Sequence, residues 1–96
     1  MLLDKLRAQR EAIHTLGRRY GARRIRVFGS VARRQERADS DVDFLVDFPP
    51  GYDLFQQRLP LTEELALLLH RTVEVVPEHE LNRHIREYVF KEAVEI

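Results

Sequence analysis

The segment Asp41-Val42-Asp43-Phe44-Leu45-Val46-Asp47-Phe48 constrains the fold more than any other stretch of the chain. Side chains on a β-strand alternate with a period of two. Val42, Phe44, Val46 and Phe48 therefore share one face, and Asp41, Asp43 and Asp47 lie on the other. The apolar face belongs to the core. Its burial pins the register, because a slip of one residue would turn the aspartates inward. Pro49-Pro50-Gly51 ends the strand. Upstream, Leu3, Leu6, Ile13, Leu16 and Tyr20 recur at helical spacing and predict an amphipathic helix over 3–19, stopped by Gly21. Arg24-Ile25-Arg26-Val27-Phe28 alternates and predicts a strand, which Gly29-Ser30 ends. Val31-Ala32-Arg33-Arg34-Gln35 can begin a short helix, and residues 36–40 form a polar loop. Residues 54–70 read as a leucine-rich helix capped by Asp53, with Pro60 either kinking it or splitting it. Thr72-Val73-Glu74-Val75-Val76 is a third strand, ended by Pro77, and Leu81, Ile85, Tyr88 and Val89 mark a last helix over 80–94. The order α-β-α-β-α-β-α predicts an α/β (α+β) fold with a small mixed sheet flanked by helices.

The chain has 96 residues, which fits a single domain over 1–96 with a limited core. Its apolar content of 44% with 33% charged residues favours a folded globule over disorder. No apolar run approaches the roughly 20 residues of a membrane span. The opening MLLDKLRAQR places charges inside any apolar core, so it does not read as a signal peptide. Cysteine is absent, which excludes disulfides and thiolate metal sites. A cytoplasmic protein is expected. The net charge of zero hides an asymmetry: residues 1–37 carry 11 Lys/Arg against 3 Asp/Glu, and residues 38–96 carry 5 against 13. The basic half reads either as solvated surface or as a positive face for phosphate or an acidic partner.

Two aspartates at i and i+2 on one strand point the same way, and like charges held that close repel unless something neutralises them. Mg²⁺ suits that role, since it takes oxygen ligands from one or two carboxylates plus substrate phosphates. Glu74 projects opposite to Val73 and Val75, and it joins Asp41 and Asp43 if the third strand pairs beside the second. Three converging carboxylates could hold two metal ions for an in-line phosphoryl displacement. Gly29 at a strand-to-helix turn lets a phosphate approach the backbone, the Ser30 hydroxyl adds a donor, and Arg33 adds positive charge one turn on. Taken singly, an Asp-x-Asp pair, a Gly-Ser turn and a strand glutamate are each usually surface features. Jointly, Gly-Ser after an apolar strand, ten residues, then Asp-x-Asp opening another, arises in about one chain of this length in a few hundred. An EF-hand is excluded because Phe44 stands at its glycine position and Pro50 at its final glutamate. His14, His70, His79 and His84 lack zinc-ligand spacing.

Gly29-Ser30, ten residues, then Asp41-Val42-Asp43 resembles the signature of the DNA polymerase β-type nucleotidyltransferases. The short chain and the wording GSVARR…SDVDFLVDF resemble its minimal nucleotidyltransferase group, from the first helix to VEVVPEHEL. The resemblance implies a polymerase β-like fold, with Mg²⁺ (two ions) on Asp41 and Asp43, ATP's triphosphate on Gly29 and Ser30, and Glu74 as third carboxylate. It also implies the antitoxin half of a two-gene module. The partner is then a helical HEPN ribonuclease toxin, and the reaction is transfer of AMP to a toxin tyrosine. Homo- or hetero-oligomers fit that role, and direct nucleic-acid binding is not expected. The alternatives are an antitoxin acting by contact alone and, behind it, an aminoglycoside-type small-molecule nucleotidyltransferase. Two positions depart from the family pattern: the third acid is Glu rather than Asp, and Arg34 stands where Gly often follows the Ala-Arg pair.

Overall fold

Where helical periodicity predicts one N-terminal helix, the computed structural model, which describes residues 1–96, has two: α1 (Leu2–Ala8) and α2 (Arg10–Arg19). They part at Gln9, whose φ of −106° and ψ of 16° leave the helical region and whose N–H donates to the Leu6 carbonyl at 3.0 Å. Leu3, Leu6 and Ile13 nevertheless stay in one core. Gly21 stops α2 as expected. It takes φ +84°, and Ala22 N–H reaches back to the Gly17 carbonyl at 2.8 Å while Gly21 N–H meets that of Arg18 at 3.1 Å. This pair of bonds satisfies carbonyls that the helix end leaves open.

The chain continues through β1 (Ile25–Phe28), the single turn α3 (Gly29–Ala32), β2 (Val42–Val46), α4 (Leu59–Leu69), β3 (Val73–Pro77), α5 (Arg83–Glu92) and β4 (Val94–Glu95). Pro60 splits its segment. It occupies the first turn of α4, where a missing N–H is tolerated, and Leu54–Arg58 upstream form a wide turn of π type. Asp53 caps that turn by accepting from the N–H groups of Phe55 and Gln56 at 2.9 and 3.0 Å.

The sheet has the order β3-β2-β1-β4, with β2 and β3 parallel and the other pairs antiparallel. α4 supplies the crossover that a parallel pair needs. Val27, Phe44 and Val75 lie abreast across three strands and are all buried, so the predicted inward face of β2 is the core face. α1, α2 and α4 contribute Leu3, Leu6, Ile13, Leu61 and Leu65 to the same cluster.

The opposite face of β2 is less polar than the alternation suggests. Leu45 is fully buried there with Leu81 and Val89 of the C-terminal region, flanked by Phe28, Val76 and Ala93. Arg26, abreast of Leu45, is also buried, pairs with Glu78 at 2.9 Å and lies 5.3 Å from the Phe90 ring centre. The predicted last helix is shorter than 80–94. Asn82 caps α5 by accepting His84 N–H at 2.8 Å, and Ala93 turns extended, so that Val94–Glu95 pair with the open edge of β1. The order gained a strand because a free edge on β1 offers backbone partners that a frayed helix end lacks. No helix is long and apolar enough to cross a membrane.

Candidate functional site

β1 and β2 place Gly29 against Asp43. Phe28 and Asp43 are register partners, and Gly29 follows at once with φ +74°. A Cβ built on Gly29 would run into Asp43 Oδ2. Glycine is required here twice over, for the left-handed backbone and for the close approach of the carboxylate. Gly29→Ala is expected to lower stability by about 1–2 kcal/mol and to displace Asp43. Urea unfolding and a transfer assay check this, and an unchanged midpoint with an unchanged rate would refute it.

Asp43 is half-buried, and its carboxyl is pushed up to about 6, first by burial and then by the negative charges of Glu74, Asp41 and Glu92. Arg33 opposes that rise only weakly. Glu74 is the register partner of Asp43 on the parallel strand, so the two side chains leave the same face of the sheet. Asp41, two residues before Asp43, shares that side and is exposed, as is Glu74. The structure therefore brings the acids predicted to act together onto one end of adjacent strands. It does not gather them round a point: no three Asp, Glu or His side chains converge into a metal-sized cage. Asp47 stands apart, paired with Arg23 at 3.0 Å.

The predicted phosphate donors also assemble. Gly29 and half-buried Ser30 open α3, and Arg33 ends it. Two of these donors already have a partner that no sequence pattern revealed. Glu92, at the end of α5, accepts Gly29 N–H at 2.6 Å through one oxygen and Arg33 Nη1 at 2.6 Å through the other. Helical spacing from Val89 sets Glu92 toward the sheet, but only the fold specifies its destination, 63 residues back in the chain. Arg34 has φ +57°, which explains why glycine suits that position. Its guanidinium is held by Asp4 on α1 at 3.1 and 3.2 Å. Part of the basic half of the sequence is paired with the acidic half. Arg19, Arg23, Arg24, Arg26 and Arg33 pair with Glu64, Asp47, Glu95, Glu78 and Glu92 of the acidic half.

The chain matches the model of the nucleotidyltransferase domain over residues 7–96. It is similar to the protein adenylyltransferase MntA of Thermococcus cleftensis, with 40% identity over 79 residues, covering 82% of this chain and 79% of that one. A solved structure described as a candidate minimal nucleotidyltransferase matches with a TM-score of 0.86 and 46% identity, covering 98% of this chain and 95% of that one. A crystal structure of a toxin-antitoxin with AMP-PNP shares the fold at a TM-score of 0.74 and 24% identity, covering 86% of this chain and 68% of that one.

Proposed function

This chain belongs to the nucleotidyltransferase domain family, and from that premise we propose that it moves AMP from ATP onto a tyrosine hydroxyl of a cognate HEPN-type toxin, as that toxin's antitoxin. The observation that carries the site is the close approach of Gly29 to Asp43, which sets the glycine turn directly against that carboxylate. A protein acceptor is supported by the adenylyltransferase name of the Thermococcus relative, and an antitoxin role by the shared fold of the toxin-antitoxin complex.

Asp41 and Asp43, with Glu74 beside them, are the residues that would hold Mg²⁺. The donor set is all oxygen, its members repel one another, and Asp43 lies half-buried among like charges. Mg²⁺ needs only one or two protein carboxylates, so the lack of a closed cage of three fits its habits. When bound, the metal neutralises charge developing on the phosphate oxygens and on the leaving group. Gly29 N–H, Ser30 and Arg33 donate to the triphosphate and orient it. Glu74 takes the proton from the tyrosine hydroxyl as its oxygen bonds to the α-phosphorus. The bond from that phosphorus to the bridging oxygen breaks, and pyrophosphate leaves.

The test is incubation with α-labelled ATP, Mg²⁺ and the product of the neighbouring gene. Label on a tyrosine of that protein is the expected result. Neutralisation of the toxin with no label on it would replace catalysis by inhibition through contact. Glu74→Gln is expected to slow transfer by roughly 10²–10⁴-fold, the usual contribution of a general base, while ATP binding is mostly kept. Full activity in that variant removes Glu74 from the reacting set.

A further inference from the structure

Glu92 lies where its role in the site is not set by the strands that carry the other acids. Its carboxylate spans Gly29 N–H and the Arg33 guanidinium, both at 2.6 Å. These are short, charge-assisted contacts. They are also two of the donors that a triphosphate would need. The backbone on both sides of Glu92 is anchored. Ala93 N–H closes the last turn of α5 on the Val89 carbonyl at 2.8 Å, and Val94 then pairs with Val27 of β1, the strand that leads into Gly29. The Glu92 backbone is thus delivered to the turn by the sheet itself. The side chain is 23% exposed and retains three rotatable bonds, so it can swing out while the helix stays docked.

We propose that the Glu92 carboxylate is an internal stand-in for phosphate, which occupies the Gly29 and Arg33 donors and which a nucleoside triphosphate must displace to bind. This deepens the reading above and rests on it, since it takes the Gly29 turn to be the triphosphate site. A carboxylate offers two anionic oxygens to the same donors, and it cannot share them with phosphate, because like charges at that distance repel. Apparent affinity falls by the fraction of molecules in which the donors are free. Glu92 therefore sets nucleotide affinity low and keeps the turn ordered when no nucleotide is bound. A glutamate that only propped the turn would act oppositely, since its loss would loosen the turn and weaken binding.

Isothermal titration of ATP with Mg²⁺ into the whole chain separates these cases. Glu92→Gln keeps the shape and removes the charge, and its expected effect is roughly tenfold or more tighter binding. Glu87→Gln removes a charge from an exposed position on the same helix and controls for the general field. It is expected to change binding by less than about twofold, as an exposed charge that is screened by salt. In transfer assays Glu92→Gln lowers KM for ATP by the same factor with kcat nearly unchanged, the pattern of uniform binding. A thermal melt of each variant confirms that the fold is kept. Binding by Glu92→Gln that equals or falls below wild type overturns the proposal while leaving the nucleotidyltransferase reading intact. An equal gain in Glu87→Gln also overturns it. Absence of ATP binding by wild type and both variants overturns the reading of the triphosphate site, and the proposal with it.

Discussion

Changing Asp41 and Asp43 together to Asn is expected to abolish transfer, with a loss of about 10³-fold or more. A bound metal supplies several kcal/mol of charge stabilisation, and each 1.36 kcal/mol is tenfold in rate. The initial rate of label transfer from ATP measures this, and a wild-type rate would refute the site. Loss of fold is not the cause, because neither side chain is on the core face. Stability moves the other way for Asp43. Its carboxyl is raised to about 6 from an ordinary value near 3.8. A group whose folded value is raised contributes stability below its unfolded value, and that contribution is lost as pH rises through the folded value. Near neutral pH, with a chelator present, Asp43 is a charge that the fold keeps at a cost. Asp43→Asn alone is therefore expected to raise the thermal midpoint at pH 7.5, with the gain vanishing below about pH 4. Equal gains at both pH values would show that the crowded charges are not its source.

Phe44→Ala is expected to cost about 3–5 kcal/mol, the range for emptying a buried phenylalanine site. Phe44 is fully buried between Val27 and Val75, in the middle of the sheet's core face. Small domains hold only about 5–15 kcal/mol in total, so this one change removes a large share of the stability. Urea unfolding gives the value. A loss below about 1 kcal/mol, typical of surface sites, would place that face in solvent and invert the register of β2.

The local features of this protein were legible because each depends on neighbours in the chain. Alternation over residues 41–48 gave β2 its core face, Gly21 its stop, Asp53 its cap, and Pro77 the end of β3. The spacing of Gly29-Ser30 from Asp41-Val42-Asp43 was legible for the same reason. A turn and a strand separated by a short loop leave few ways to pack, and antiparallel pairing of β1 with β2 brings them together. The departures arose where distant segments compete. Leu45 lies on the side of β2 that its aspartates mark as polar, yet α5 covers it, and Arg26 goes under with it. Val94, at the end of the predicted helix, and Glu95 beyond it pair instead with the edge of β1, because an unpaired strand edge offers hydrogen bonds that periodicity does not register.

Local periodicity is enough to say which side chains can face the core and which can carry charge at the site, since a period of two or of 3.6 is a property of the local backbone. What meets those charges follows from long-range packing. That packing sets Glu74 beside Asp43, closes Gly29 against the Asp43 carboxylate, and brings Glu92 onto the Gly29 and Arg33 donors. These contacts join residues as far apart as 29 and 92, and they depend on which sheet edge is open and which face is still uncovered. Both are settled by the packing of the whole chain rather than by any segment of it.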